Sequence, residues 1–141
     1  MIYYTSDLHF GHKNIIQLTS RPFSSVEEMD EVLIKNWNNK VTKNDLVYIL
    51  GDFTWYNSVE KNLKILERLN GTKHLILGNH DPANKIKPLL HCFNNIVFPT
   101  CYEEIHDSGN DVVLCHYPIE DWNCKFHRFY SFTSDIRIIY Q

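Results

Sequence analysis

The sequence predicts an α/β fold built around a partly parallel β-sheet. Three apolar runs, at residues 2–6, 46–50 and 74–77, are too short for helices and have the composition of buried strands. Amphipathic helical patterns separate these runs, and a hairpin-like second half follows. Strands that alternate with helices are typical of α/β domains, in which helices connect neighbouring parallel strands.

The first half of the chain carries the clearest elements. Residues 2–6 are β-branched and aromatic, which favours a buried opening strand. A helix is predicted from Ser24 to Lys40, because Ser24 or Ser25 and an acidic residue three positions later form a capping box. Its apolar positions recur at helical spacing: Val26, Met29, Val32, Leu33 and Trp37. The second strand, at 46–50, is closed by Gly51-Asp52.

Further elements follow the same alternation. Ser58 caps a second amphipathic helix, which Asn70-Gly71 ends. The third strand leads into Gly78-Asn79-His80-Asp81, and a weaker helix follows Pro82. Short strands are predicted at 95–98 and 101–105, and a turn at 107–110 enters a last strand at 111–115, which ends at His116.

Size and composition indicate a single domain over residues 1–141, with an atypical tail from about 123 to 141. The chain is 43% hydrophobic and 22% charged, which excludes disorder of the whole chain. Its 14 Lys and Arg against 17 Asp and Glu give a net charge of -3, so we expect no strong nucleic-acid patch.

The beginning of the sequence does not resemble a signal peptide, and no window approaches the ~20 apolar residues of a membrane span. The four cysteines form no Cys-x-x-Cys pair. We therefore expect reduced thiols, a cytoplasmic protein and no membrane partner.

Metal-ligating side chains follow each of the four main apolar runs. Asp7 and His9, Asp52, the 78–81 segment and His116 all stand at predicted strand ends. Each alone has a structural explanation, such as a helix cap or a turn, but strand ends have no general need for a carboxylate or histidine. Because ligands gather beyond the carboxyl ends of parallel strands, the set predicts a shared site. Carboxylate, imidazole and amide donors suit divalent ions such as Mn, Fe, Zn, Co or Ni. They are not the donors of a structural zinc site, which is built from thiolates.

These motifs resemble a known family. Asp7-Leu8-His9, Gly51-Asp52, Gly78-Asn79-His80-Asp81 and the later His116 are similar to the signature of the calcineurin-like metallophosphoesterase superfamily. The longer segment at residues 7–16, together with the segments at 21–23 and 36–38, resembles the small single-domain bacterial and phage branch of this superfamily. The resemblance implies an αββα sandwich, in which helices flank two stacked mixed β-sheets.

The resemblance also implies a dinuclear metal centre and a role for each ligand. Asp7 and His9 would hold the first metal ion, and Asn79 and His116 the second. Asp52 would bridge the two ions. His80 would act on the substrate, as an acid for the leaving oxygen or as a stabiliser of the transition state. The expected catalytic residues are therefore His80 and Asp52.

Electrostatics favours shared anions at such a centre. Two dications ~4 Å apart repel by roughly 17 kcal/mol at an effective dielectric constant of about 20. A carboxylate at Asp52 offsets part of this repulsion. A bridging hydroxide would offset more of it, and in the family it would be the nucleophile that attacks phosphorus.

Two further residues are weaker candidates. His12 lies on the same predicted loop as His9 and could contact the substrate phosphate, although a hydrogen-bonded loop histidine explains it equally well. Asp81 could orient His80 through a hydrogen bond or cap the helix after Pro82. Trp37 and Trp55 are interpreted as core and loop packing.

The sequence departs from the family pattern after His116. The family pattern ends in Gly-His-x-His, and the tail holds no such motif and one histidine, His127. Each metal ion would then keep three protein ligands, so we expect weak or single-metal occupancy. We also expect the last strands of the second sheet to be truncated, which leaves an edge open to association. A frameshift in the coding DNA and natural divergence both remain open as origins of this tail.

The sequence thus predicts a metal-dependent phosphoesterase that acts on phosphodiesters or small nucleotides. The tail would impair its activity. The alternative is a catalytically silent phosphoesterase-like module that binds a nucleotide or a partner.

Overall fold

The computed structural model describes residues 1–97, 102–119 and 129–132. Its strands are β1 (Ile2–Thr5), β2 (Leu46–Leu50), β3 (Thr72–Ile76), β4 (Asn95–Val97), β5 (Tyr102–Asp107), β6 (Asn110–Cys115) and β7 (Phe129–Phe132). Its helices are α1 (Lys13–Leu18), α2 (Val26–Lys40), α3 (Val59–Arg68) and α4 (Ala83–Ile86), and a short 3-10 helix (Lys87–Cys92) follows α4.

The strands form two sheets of different character. The first sheet has the order β1-β2-β3-β4, and its neighbouring strands are all parallel. Ile2, Leu46 and Thr72 stand side by side in its register, so β1, β2 and β3 end at the same edge. The second sheet has the order β5-β6-β7, with β6 antiparallel to β5 and parallel to β7.

Alternating side chains of the first sheet face two separate cores. On β2, Val47 and Ile49 belong to the larger cluster, which includes residues of α1, α2, α3 and α4. Tyr48 and Leu50 point the other way, into a smaller cluster with Val112 and Leu114 of the second sheet. The described residues therefore stack as helices, first sheet and second sheet. This arrangement confirms the predicted pair of stacked sheets flanked by helices.

The predicted caps are present at the two long helices. The Ser25 hydroxyl accepts a hydrogen bond from the backbone N–H of Glu28 at 3.1 Å, and the Glu28 carboxylate accepts one from the N–H of Ser24 at 2.8 Å. Ser58 caps α3 by accepting a bond from the N–H of Lys61. Such side chains satisfy N–H groups that have no partner within the helix.

Two observed elements have no counterpart in the sequence-based prediction. One is α1, whose six residues give too short a periodic pattern for recognition. The other is β7, which lies within the atypical tail and extends the second sheet beyond β6. Residues 98–101, 120–128 and 133–141 lie outside the described residues, and they include His127, the rest of the tail and the ends of the strands predicted at 95–98 and 101–105.

Two other properties concern thiols and membranes. Cys92 and Cys115 are free thiols, as expected for reduced cysteines. None of the described helices has the length and apolar character needed to cross a membrane.

Candidate metal centre

The candidate site lies at the edge where β1, β2 and β3 end. Asp7 and His9 follow β1, Asp52 follows β2, and Asn79 and His80 follow β3. His116 arrives from the second sheet, as the residue directly after β6. All residues that the sequence predicted as metal ligands are therefore carried by neighbouring loops.

Asp52 stands at the middle of these side chains. It is 3% exposed, and its two carboxylate oxygens face different groups. Oδ2 lies 3.5 Å from His9 Nε2, whereas Oδ1 lies 3.7 Å from His116 Nε2. Oδ1 also accepts a hydrogen bond from the backbone N–H of His80 at 2.9 Å. This disposition suits a carboxylate shared between two cations.

The tautomer of His116 follows from its contacts. Its Nδ1 lies 2.8 Å from the carbonyl oxygen of Leu50, and because a carbonyl can only accept, Nδ1 carries the proton. In the neutral ring, Nε2 then holds a lone pair. That lone pair lies 2.9 Å from the side-chain oxygen of Asn79 and 3.7 Å from Asp52. Three electron-rich atoms that converge in this way suit a bound cation, and a backbone carbonyl is a usual support for a metal-ligating histidine.

Asp7 and His9 form the other side of the site. His9 is buried, and its Nε2 lies 3.6 Å from Asp7 Oδ1. Burial raises the pKa of Asp7, but hydrogen bonds with His9 and Ser6, together with the charge interactions of His116 and His9, outweigh this effect and hold the pKa below its ordinary value. Asp7 is thus disposed to be an anion.

The backbone at the ligands is strained. Asp7, His9 and Asp52 have φ values of 52°, 53° and 55°, in the left-handed region that non-glycine residues rarely adopt. Hydrogen bonds between the two loops hold this conformation, from Asp7 N–H to the Gly51 carbonyl at 3.1 Å and from His9 N–H to the Asp52 carbonyl at 2.9 Å. Strain of this kind, held by neighbouring structure, clusters at functional sites.

Two glycines allow the close approach of the loops. A Cβ at Gly51 would lie 2.5 Å from His116 Nδ1, and a Cβ at Gly78 would lie 2.3 Å from Asp52 Oδ1. Neither position has room for a side chain. The glycines of the Gly-Asp and Gly-Asn-His-Asp motifs therefore act as spacers for the ligands.

The Asp81 carboxylate supports the loop of Asp52. Its Oδ2 accepts hydrogen bonds from the N–H groups of Asp52 at 2.6 Å and Gly78 at 3.0 Å, and its Oδ1 accepts one from Phe53 at 3.1 Å. Burial raises the pKa of Asp81, and the charge of nearby Asp52 raises it further. The three hydrogen bonds lower the pKa but offset only part of this increase. The sequence-based expectation was that Asp81 orients His80 through a hydrogen bond or caps the helix after Pro82. The hydrogen bonds described here instead connect Asp81 to backbone N–H groups of the loops that follow β2 and β3.

Two supporting residues were not predicted from the sequence. The Arg21 guanidinium donates to the carbonyl oxygens of Asp7 at 2.7 Å and Leu8 at 3.0 Å. Asp30 of α2 accepts from the N–H of Gly11 at 3.0 Å and from the hydroxyl of Tyr56 at 2.9 Å. Both residues bind backbone groups of the loop that follows β1. Because neither is a candidate metal ligand, the spacing of ligands along the sequence could not identify them.

His12, the weaker candidate for phosphate contact, lies under Trp55. It is 8% exposed, and its ring stacks on that of Trp55 with centroids 4.0 Å apart. Its Nδ1 is 3.4 Å from Nδ1 of His9. Burial lowers the pKa of His12, and the neighbouring His9, His80 and Arg21 add to this effect. Contact between His12 and a phosphate stays a prediction.

The donor set fits a divalent metal. One ligand atom each from Asp7, Asp52 and His116 lies within 4.8 Å of the others. The set combines carboxylate and imidazole groups, which borderline divalent ions accept. Asp52 has three imidazoles around it, from His9, His80 and His116, and buried carboxylates are commonly paired or metal-bound.

Comparisons with known proteins bear on the family and the fold of this chain. The profile of the calcineurin-like phosphoesterase family matches residues 1–138. An uncharacterized protein of Methanocaldococcus jannaschii is 54% identical over 126 residues, which are 89% of this chain and 63% of that protein. The Gene 66 protein of Mycobacterium phage L5 is 42% identical over 59% of this chain and 42% of its own length. The chain thus spans less than two thirds of the length of these curated relatives.

A solved structure extends the comparison to the fold. The crystal structure of a protein of unknown function from Aquifex aeolicus has a TM-score of 0.71 and 28% sequence identity, and the match covers 95% of this chain and 89% of that one. Phage and small uncharacterized relatives support the small single-domain branch. Metallophosphoesterases are hydrolases that bind divalent metals. The profile match over residues 1–138 shows that this chain belongs to the calcineurin-like phosphoesterase family.

Proposed function

We propose that this chain is a metal-dependent phosphoesterase that hydrolyses phosphodiesters or small nucleotides. The observation that carries the proposal is the convergence of His9, His80 and His116 on one buried carboxylate, Asp52, at the end of a parallel sheet. A purely structural ion pair needs one cation for one carboxylate. Three imidazoles and a second carboxylate at Asp7 are more than such a pair requires.

The residues divide into two groups around Asp52. His9, which lies beside Asp7, faces Oδ2, and His116, which lies beside Asn79, faces Oδ1. Asp7 also offers an oxygen within 4.8 Å of ligand atoms of Asp52 and His116. The division supports two cation positions with Asp52 between them. Divalent ions such as Mn, Fe, Zn, Co or Ni would activate water and stabilise negative charge on the phosphoryl group. The sequence lacks Gly-His-x-His, so we propose weak binding and reduced activity for this chain.

His80 is the group proposed to act on the leaving oxygen. Its side chain is 37% exposed, so a substrate can reach it, and its Nε2 lies 4.0 Å from Asp52 Oδ2. A protonated His80 would donate its proton to the oxygen that departs from phosphorus. A positioned acid of this kind contributes ~10²–10⁴-fold to a rate.

The proposed substrate class follows from the exposed residues and the charge. Asn79 and His80 are the more accessible members of the site, whereas His9, Asp52 and His116 are buried. The net charge of -3 does not favour binding to a long polyanion. A small phosphate ester or nucleotide is therefore preferred over duplex nucleic acid. We further propose a cytoplasmic location, no membrane partner and association through an open sheet edge.

A second candidate is a catalytically silent module that binds a nucleotide or a partner. The absence of Gly-His-x-His from the sequence favours it, because fewer ligands lower the affinity for metal. The retained Asp7, His9, Asp52, Asn79, His80 and His116 favour the enzyme.

The test is metal-dependent hydrolysis of bis(p-nitrophenyl) phosphate. Wild-type protein with Mn²⁺ should release p-nitrophenol, and EDTA should stop the reaction. Asp52→Asn is nearly isosteric, so the fold should persist while the rate falls by at least about 100-fold, since a lost ligand should cost no less than a lost supporting residue. Asp111→Asn makes the same change at an exposed residue of β6 that pairs with His106, and it should retain the rate.

Two outcomes would reject the enzymatic proposal. Equal rates for Asp52→Asn and wild type would mean that the hydrolysis occurs elsewhere. No hydrolysis by the wild type, together with measurable binding of a nucleoside monophosphate, would favour the silent module.

A further inference from the structure

Four aromatic rings form a closed circle beside the candidate metal centre. His9 neighbours His12 with centroids 5.2 Å apart, His12 stacks on Trp55 at 4.0 Å, Trp55 meets His80 at 4.8 Å, and His80 returns to His9 at 5.7 Å. Two members, His9 and His80, already have proposed roles as ligand and acid. Trp55 has none, and His12 has only the predicted contact with a phosphate.

Trp55 is held firmly despite its exposure of 42%. Its backbone N–H donates to the Phe10 carbonyl at 2.8 Å, and the preceding residue, Thr54, accepts a bond from Lys85 Nζ at 2.6 Å through its carbonyl. The Thr54 hydroxyl donates to the side chain of Asn62 at 2.7 Å. The buried ring of His12 covers one face of the indole at an interplanar angle of 6°. Hydrogen bonds thus hold the backbone at Trp55, and a buried ring covers one face of its exposed indole.

The ring of His80 has weaker polar support, because its polar neighbour, Asp52 Oδ2, lies 4.0 Å from Nε2. Its backbone N–H is bound by Asp52, but among the residues that the structure describes no group makes a hydrogen bond to its imidazole. The ring packs instead against Trp55 and His9, at interplanar angles of 61° and 59°. An imidazole that is 37% exposed can adopt several rotamers unless its neighbours exclude them.

We propose that Trp55, backed by His12, is a positioning residue that fixes the orientation of the His80 imidazole. The proposal rests on the proposed function of His80 as the acid for the leaving oxygen. A proton donor must lie within hydrogen-bond reach of that oxygen, and a displacement of about 1 Å can cost ~10²-fold in rate. Trp55 limits the imidazole to the rotamer that faces the centre. Its ring contacts are with His12 and His80, neither of which is a proposed metal ligand.

The first test separates turnover from binding. Trp55→Ala should lower kcat for bis(p-nitrophenyl) phosphate by about 10-fold or more, while KM and the affinity for Mn²⁺ change by less than about twofold. Trp55→Phe keeps an aromatic face and should recover most of kcat. Leu90→Ala removes a side chain of similar exposure, 46%, from the 3-10 helix and should leave kcat unchanged.

The second test needs neither metal nor activity. In the metal-free protein, the ring current of Trp55 should displace the imidazole Cε1–H resonance of His80, which is assigned by its loss in His80→Asn. Trp55→Ala should move this resonance towards the position of an exposed histidine, and Trp55→Phe should move it less. His12→Ala, which uncovers the indole, should also shift it.

The results distinguish failure of this inference from failure of the proposed function. An unchanged kcat in Trp55→Ala, or an equal loss of kcat and Mn²⁺ affinity, overturns the inference. If the alanine variant does not fold, Trp55→Leu keeps apolar bulk and provides the same comparison. If the wild type does not hydrolyse the ester, the proposed function fails, and an unchanged His80 resonance in Trp55→Ala then overturns the positioning role on its own.

Discussion

At the scale of single residues, Gly51 provides a test of how tightly the loops are packed. Its φ is +84°, and a Cβ there would lie 2.5 Å from His116 Nδ1. Gly109 has nearly the same φ, +83°, but nothing lies within 4 Å of its Cβ position. Alanine should cost about 1–3 kcal/mol of stability at either position because of the left-handed backbone. Gly51→Ala should cost more, and it should also displace His116.

Two measurements check this comparison. Urea denaturation gives the free energy of unfolding of both variants, and Mn²⁺ titration gives their metal affinity. We expect Gly51→Ala to be the less stable variant and to bind Mn²⁺ more weakly, with Gly109→Ala close to wild type in binding. Equal stability and equal affinity of the two variants would show that His116 does not lie against Gly51.

The residues of the candidate site differ in how far the sequence could reveal them. Asp7, His9, Asp52, Asn79 and His116 stand directly after recognisable apolar runs, and parallel strands bring such positions to one edge. Arg21 and Trp55 could not be found in this way. Arg21 acts on backbone carbonyls, and the stack of Trp55 on His12 joins side chains from different loops. Spacing along the chain carries no sign of either contact.

At the scale of elements, α2 anchors the first site loop through Asp30. Burial raises the pKa of Asp30. Hydrogen bonds with Gly11 and Tyr56 lower it, but they offset only part of the effect of burial. Because the folded pKa is raised, the contribution of Asp30 to the stability of the wild type falls as pH rises above 3.8, the ordinary pKa of the group. Asp30→Asn does not titrate, so its stability relative to wild type should increase between about pH 3 and pH 6.

The neighbouring Glu31, whose charge contributes the smallest part of the raised pKa of Asp30, provides a pH dependence of opposite sign. A hydrogen bond from Arg68 lowers its pKa, so its stabilising contribution is present above 4.5 and is lost as pH falls. Glu31→Gln should therefore lose stability relative to wild type as pH rises, by a small amount because the pair is exposed. Thermal unfolding of the three proteins across this range checks both trends. The same sign for the two variants would contradict the burial of the Asp30 carboxylate.

Elements with strong local signals were predicted well. Helices α2 and α3 have serine caps and long amphipathic patterns, and β2 and β3 are short apolar runs bounded by turn residues. In contrast, α1 has six residues, and β7 depends on pairing with β6, which is distant in sequence. Local pattern cannot report a strand whose existence depends on a partner elsewhere.

At the scale of the whole molecule, the candidate centre joins the two sheets. The first sheet supplies Asp7, Asp52 and Asn79 through its loops, and the second sheet supplies His116. Tyr4 of β1 makes a second connection, because its hydroxyl donates to Asp107 at 2.6 Å. A metal ion held by Asp52 and His116 would therefore cross-link both layers.

The most direct test of this account is calorimetric titration of the metal-free chain with Mn²⁺. We expect saturable binding of at least one ion per chain for the wild type and for Asp111→Asn, and its loss in Asp52→Asn. His80→Ala should retain the binding, because His80 is assigned to the substrate. No saturable binding by the wild type, or undiminished binding by Asp52→Asn, would contradict the central claim that Asp52 organises a metal centre at the end of the parallel sheet.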